Sequence, residues 1–202
     1  MDIKIIDEFL SNKDFEELSN LSLKKIDKGE IKVYHNKITK DGLIEIAECI
    51  SNDLLKKLHN DYNKKALNIL RDLYPEKLDL YEFSEFHIIE TGANYVFPIH
   101  DDTPDKLLSG VIYLKPENNT GTFFYDSKKG MNKREVEWKQ NRAVFFSRKE
   151  RSTWHSYEGD KNNNRITLVY NLMTSKIKEV CKIEKSSFFI ANTRYKLNPY
   201  LY

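Results

Sequence analysis

Long apolar runs, an excess of one charge and a cysteine framework are all missing from this sequence, and each absence removes a class of protein. No apolar stretch approaches the ~20 residues that span a bilayer. The opening residues Met1 to Glu8 carry acids where a secretion signal needs a basic start and a long apolar run. Basic and acidic residues nearly balance, 33 against 31, for a net charge of +2. There is thus no basic field to draw nucleic acid and no acidic tail that must stay solvated. The short pairs Lys24-Lys25 and Lys128-Lys129 read as solvated surface. The two cysteines, Cys49 and Cys181, lie far apart without metal-type spacing, which fits a reducing compartment and excludes a disulfide scaffold. Internal repeats, low-complexity linkers and a glycine-rich phosphate loop are also missing. The expectation is a cytoplasmic protein with no nucleic-acid or membrane partner; the sequence carries no signal of oligomeric state.

What is present is a globular composition, 40% apolar and 32% charged. Periodicity divides one domain into three zones: a helical support region over 1–79, a β-rich core over 80–174 and a C-terminal extension over 175–202. In the first zone Ser11 can cap a helix starting near Lys13. Ile31 to Tyr34 is a short strand. Leu43, Ala47, Ile50, Leu54, Leu58, Tyr62, Ala66, Ile69 and Leu73 then recur at helical spacing. Ser51-Asn52-Asp53 is expected to break this run into two helices, and Tyr74-Pro75 to end it. The second zone holds strand-like segments at Glu85–Glu90, Gly110–Leu114, Thr122–Tyr125, Ala143–Ser147, Thr153–Tyr157 and Arg165–Leu172, separated by turn signals. Short strands with no helix between them predict an antiparallel sandwich or barrel of jelly-roll type. The third zone starts as either helix or strand and ends in an aromatic, asparagine-rich tail.

The chemistry gathers at His100-Asp101-Asp102. On an extended chain, residues two apart share a face, so His100 and Asp102 can grip one metal while Asp101 points away. Asp101 then keeps at most a surface hydrogen bond or a role in orienting the ligands. His155, in a later strand, is the candidate third ligand. Two histidines and a carboxylate on one side of a metal leave positions open for other reactants. Beyond His155, alternation puts Arg165, Thr167 and Val169 on one strand face, with Ile166, Leu168 and Tyr170 on the other. An inward arginine is costly unless it meets an anion, and its planar fork suits a carboxylate. His35, His59 and His87 have no partner at ligand spacing; His59 reads as surface and His87 as packing. Cys181 has no activating base, and Ser152 has no nucleophile elbow around it.

These residues resemble the 2-oxoglutarate/iron(II) oxygenase superfamily, and within it the prolyl-4-hydroxylase-like group. The likeness rests on His100-x-Asp102, the distal His155 and Arg165-x-Thr167 beyond it, with Gly92 before the first ligand. Val111-Ile112-Tyr113-Leu114-Lys115 is similar to the strand that follows the first ligand pair. Ala143-Val144-Phe145-Phe146 is similar to the strand leading to the distal histidine, and Ile6 to Ser11 to the approach to the first helix. Thr120-Gly121 stands where the family has paired glycines, with the first replaced. The resemblance implies a mainly β double-stranded β-helix with supporting N-terminal helices. It implies Fe(II) on His100, Asp102 and His155, with 2-oxoglutarate held by Arg165 and Thr167. Tyr113 inherits a cosubstrate contact by the same likeness and reads equally well as a core tyrosine.

The implied reaction couples decarboxylation of 2-oxoglutarate, with O2, to hydroxylation of a peptidyl or small-molecule substrate, giving succinate and carbon dioxide; ascorbate is admitted as a reductant. The loops 103–109 and 128–135 are expected to border the pocket. The alternative is a non-enzymatic cupin-like protein that binds a metal or a carboxylate.

Overall fold

A computed structural model describes residues 2–197. The chain opens with strand β1 (Ile3–Ile6) and helix α1 (Asn12–Ser19). Ser11 caps α1 as expected, its hydroxyl accepting from the Asp14 amide at 3.2 Å. The buried Asp14 carboxylate also accepts from Tyr62 Oη at 2.7 Å and Lys57 Nζ at 2.5 Å, which ties α1 to the next helix.

Strands β2 (Ile31–Tyr34), β3 (Asn36–Thr39) and β4 (Ile44–Ala47) come before helix α2 (Asn52–Leu73). This corrects the helical reading of the segment from Leu43. Asp41-Gly42 turns β3 back into β4, with Gly42 at a φ of 86° that favours glycine, and Leu43 and Ala47 are exposed. Ser51 does not break a helix; it caps α2, its Oγ accepting from the Leu54 amide at 3.2 Å. From there the stripe holds. Leu54, Leu55, Leu58, Tyr62, Ala66, Ile69 and Leu70 are all buried, and each fully buried leucine contributes about 1.5–3 kcal/mol by leaving water. His59 lies on the same buried side, contrary to its surface reading. The helix stops before Pro75, which opens a short 3-10 segment, Pro75–Leu80.

The remaining strands are β5 (Phe83–Thr91), β6 (Val96–His100), β7 (Lys106–Lys115), β8 (Thr122–Tyr125), β9 (Arg134–Val136), β10 (Ala143–Phe146), β11 (Trp154–Glu158) and β12 (Arg165–Met173). Six of these eight coincide with expected strands; β6 and β9 do not. The larger sheet runs β1-β10-β7-β12-β5-β3-β4, with β2 also on β5, and the smaller runs β6-β11-β8-β9. Strands from the N-terminal zone and the core zone therefore share one sheet, and every pairing is antiparallel. On β12, Leu168, Tyr170 and Leu172 pack into the core beneath α2, while Arg165, Thr167, Val169 and Asn171 face the smaller sheet. A second core of Tyr113, Phe124, Val136, Val144 and Phe146 fills part of the space between the sheets. Among the described residues, no helix is long and apolar enough to cross a membrane.

The C-terminal extension forms helices α3 (Ile177–Ile183) and α4 (Phe188–Leu197); residues 198–202 of the expected tail lie outside the described residues. At the end of α3 the Glu184 carboxylate is fully buried. It accepts from Lys77 Nζ at 2.7 Å, from Arg148 Nη1 and from the Glu150 amide at 3.0 Å. The Lys77 and Arg148 side chains are fully buried too. Lys77 also donates to the Arg148 carbonyl, and Arg148 Nε donates to the Asp102 carbonyl at 3.0 Å. The extension thus completes an ionic cluster behind the loop that carries Asp102. Glu184→Ala would leave the buried Lys77 without its carboxylate and Arg148 with that of Glu150 alone, and a cost of about 3–5 kcal/mol is expected. Urea unfolding at unchanged m value measures it; a loss below about 1 kcal/mol, the size of a surface ion pair, would contradict the buried arrangement.

Candidate metal centre and its cavity

β6 and β11 are antiparallel neighbours, and their register sets His100 directly opposite His155. The ring centroids are 4.1 Å apart. Each Nδ1 lies 2.9 Å from the backbone carbonyl two residues earlier, Pro98 for His100 and Thr153 for His155. A carbonyl only accepts, so each Nδ1 carries the proton and each Nε2 presents a lone pair. Past His100 the two-residue repeat brings the Asp102 carboxylate back to the same side. One donor atom from each of His100, Asp102 and His155 lies within 4.8 Å of the others. Two neutral imidazoles and one carboxylate suit a divalent first-row metal with coordination positions left open.

The electrostatics favour that protonation pattern. Burial, with His155 adding to it, pulls the His100 imidazole down to about 3, and burial lowers His155 likewise. Burial opposes the charge on Asp102, but Lys106 outweighs it and holds the carboxyl well below the usual carboxylate range. Lys106 Nζ donates to Asp102 Oδ1 at 2.6 Å, and Ser109 Oγ donates to Oδ2 at 2.6 Å. Sequence reasoning missed both. Lys106 lies four residues beyond Asp102, and Ser109 sits on a strand whose inner face the alternation of β7 could have identified.

Asp101 differs from expectation. Its carboxylate does turn away from the metal ligands, yet it is 3% exposed rather than on the surface. It accepts from the Arg151 amide at 2.7 Å and from Thr153 Oγ1, and so fastens the ligand-bearing loop to the segment leading into β11. Burial, partly offset by Arg148 and Thr153, raises the Asp101 carboxyl to about 6.

The three donors open onto a cavity of about 160 Å³ between the sheets. Its opposite wall is β12, with Arg165, Thr167, Val169 and Asn171, while Phe97, Ile89 and Phe146 supply apolar lining. Arg165 is 5% exposed, and its Nε and Nη1 have no hydrogen-bond partner. Its guanidinium lies 3.8 Å from the ring centroid of Tyr157 and 5.4 Å from those of Tyr113 and Trp138. The unpartnered donors fit a carboxylate guest. Tyr113 does not line the cavity. Its hydroxyl donates to Thr122 Oγ1 at 2.9 Å and its ring stacks on Trp138, so its link to the site is through the Arg165 guanidinium. Tyr157, two residues past His155, was missed, although strand spacing put it within view. Of the two loops expected at the border, 103–109 lines the cavity through Lys106 and Ser109, and none of residues 128–135 does.

No family model matches the chain, and no curated protein matches it. Solved structures do. A Pseudomonas putida prolyl-4-hydroxylase is 13% identical, with 85% of this chain and 92% of that one covered at a TM-score of 0.58. A Trichoplax adhaerens prolyl hydroxylase, solved with a hypoxia-inducible-factor peptide fragment, is 14% identical over 87% and 85%, with a TM-score of 0.56. A Burkholderia pseudomallei oxidoreductase of the 2OG-Fe(II) oxygenase family is 14% identical over 85% of each chain, with a TM-score of 0.58. The fold is therefore the mainly β, jelly-roll fold of the 2-oxoglutarate/iron(II) oxygenases, as the sequence resemblance implied.

The tie through Asp101 gives an expected ranking of two adjacent aspartates. Asp102→Ala removes a donor and should abolish tight binding of cobalt(II). Asp101→Ala should weaken it by about 10- to 100-fold, the usual effect of losing a group that orients a ligand. Calorimetric titration of both variants is the check; an Asp101 variant that binds as tightly as the unaltered chain would make that residue a bystander.

Proposed function

We propose that this chain is an iron(II)- and 2-oxoglutarate-dependent oxygenase that holds its metal with His100, Asp102 and His155 and the far carboxylate of its cosubstrate with Arg165. The observation that carries this reading is the Arg165 guanidinium, buried with two unpartnered nitrogens in the same cavity as the three donors. A buried lone cation is costly, and a dicarboxylate removes that cost through paired N–H···O bonds. When bound, iron(II), 2-oxoglutarate and O2 supply decarboxylation to succinate and carbon dioxide together with hydroxylation of a C–H bond.

The chain's own part is binding and orientation. The Pro98 and Thr153 carbonyls fix the two imidazole rings, each with its Nε2 free for the metal. Lys106 and Ser109 fix the Asp102 carboxylate and keep it ionised. Thr167 flanks the path from the donors to Arg165, and Tyr157, Tyr113 and Trp138 hold the guanidinium by their ring faces. Phe97, Phe146 and Ile89 give the cavity apolar walls, and a charged contact beside such walls is stronger than in water. The substrate class at this level is a peptidyl side chain or a small molecule.

Anaerobic addition of iron(II) and 2-oxoglutarate should give the weak visible charge-transfer band of the chelate, and air with ascorbate should then release succinate. If neither occurs, the reading fails. Arg165→Ala should weaken 2-oxoglutarate binding by about a hundredfold or more, the equivalent of about 3–5 kcal/mol for breaking a buried ionic pair, while metal binding persists. Titration of the metal-loaded variant with cosubstrate measures this; unchanged affinity would remove Arg165 from the site.

A further inference from the structure

The cavity wall carries one more polar group without a partner, and it adjoins the metal ligands rather than Arg165. Asn171 lies on β12, six positions from Arg165, about 20 Å at strand rise. It is 1% exposed and lines the cavity, and its Oδ1 has no hydrogen-bond partner. In register it stands between Glu85 on β5 and Ser109 on β7. Ser109 is the residue that holds the Asp102 carboxylate, so this stretch of wall is next to the candidate metal site.

The orientation of that amide is set from outside the cavity. The Glu85 carboxylate, which is not part of the lining, takes a side-chain hydrogen bond from Asn171. A carboxylate accepts, so this bond uses the amide nitrogen. Glu85 is placed in its turn by Lys37, its register partner on β3, and by Lys106 within electrostatic reach. With the nitrogen committed, Asn171 has its oxygen left to offer, an acceptor with two lone pairs. Val169, the next inward residue of β12, and Val111, its register partner on β7, add only hydrocarbon to the wall beside it. This part of the cavity therefore presents apolar surface and one fixed acceptor.

A buried acceptor left unmatched weakens whatever complex leaves it so, and that ranks the possible guests. A hydrocarbon surface leaves the oxygen unpaired. A carboxylate sets its own lone pairs against those of Oδ1. An ammonium gains one neutral acceptor but stands in the same small cavity as the Lys106 ammonium. Among the described residues that line the cavity the only carboxylate is Asp102, and Lys106 is bonded to it at 2.6 Å. An uncharged N–H or O–H satisfies the oxygen and brings no charge with it. We propose that the Asn171 amide oxygen accepts a hydrogen bond from an uncharged N–H or O–H group of the primary substrate, so that the enzyme acts on a molecule carrying an amide or a hydroxyl close to the C–H bond it hydroxylates. This rests on the oxygenase reading above and names the substrate class for the same cavity. A site built around such a bond rejects an analogue that lacks the donor, because the buried acceptor is then left bare.

The test uses the full chain loaded anaerobically with iron(II) and 2-oxoglutarate, and the readout is the shift of the chelate band. Butyramide and butanol carry a donor. N,N-dimethylbutyramide and methyl propyl ether are their counterparts without one, and butylammonium and butyrate are the charged probes. At least one donating probe should shift the band saturably and bind about tenfold or more tightly than its counterpart. Which of the two does so distinguishes an amide from a hydroxyl. Asn171→Leu should abolish that preference, and the variant's own band reports that it is folded and loaded. Four results overturn the inference: no response to either donor, equal binding of the counterparts, tighter binding of a charged probe, or a preference that survives in Asn171→Leu. Failure of the band to form in the unaltered chain would instead remove the oxygenase reading, and this inference with it.

Discussion

The antiparallel pairing of β6 with β11 is the constraint on which the centre depends. It brings His100 and His155 face to face as register partners, so the two imidazoles meet through the hydrogen-bonded ladder and not through loop geometry. On its other edge β11 pairs with β8, where His155 stands opposite Phe124 in the core between the sheets. The donors are therefore fixed to a rigid element on both sides. Only Asp102 comes from irregular chain, and it is the residue with the most external support. Lys106 and Ser109 hold its carboxylate, Arg148 holds its carbonyl, and its neighbour Asp101 is bound to the segment before β11.

Buried charge divides the interior into two kinds of place. Where Lys77, Arg148 and Glu184 meet, every charge has an opposite within contact, as a folded chain requires if ions are to leave water. Along the cavity wall the match is incomplete at Arg165, and the Asn171 amide oxygen is unpartnered as well. A chain selected for stability alone would have replaced such groups with apolar ones. Their persistence in the wall that faces the donors marks the place of a guest.

Much of this was legible in the sequence because it depends on local period. The i, i+2 relation of His100 and Asp102, and the alternation that turns Arg165 and Thr167 inward, are properties of any extended chain. They survived into the structure for that reason. The misreadings are equally physical. Leu43 and Ala47 fall at helical intervals ahead of a true helix, and that spacing masked a hairpin which the Asp41-Gly42 turn could have announced. β6 carries Pro98 at its centre, a residue that argues against a strand wherever a ladder needs its N–H. Asp101 looked superficial because its partners, Arg151 and Thr153, lie some fifty positions away and no periodicity links them. The same holds for Lys77 with Glu184, 107 positions apart. His59 read as surface because it sits beside the helical stripe, although it follows Leu55 by one helical turn on the buried side.

The Glu184 cluster also has a consequence in time. A ribosome adds about 5–20 residues each second, so the 82 positions from Asp102 to Glu184 occupy roughly 4–16 seconds of synthesis at that rate. Through that interval Lys77 lacks the carboxylate that neutralises it, and Arg148, which anchors the loop through the Asp102 carbonyl, arrives 46 positions after Asp102 and has only Glu150 until Glu184 follows. The pairing of β1 with β10 likewise keeps the first strand waiting until residue 143 has been made. The nascent chain must therefore reach α3 before its donors are locked in place. The metal-binding loop is among the earlier parts to be translated and among the last to become rigid.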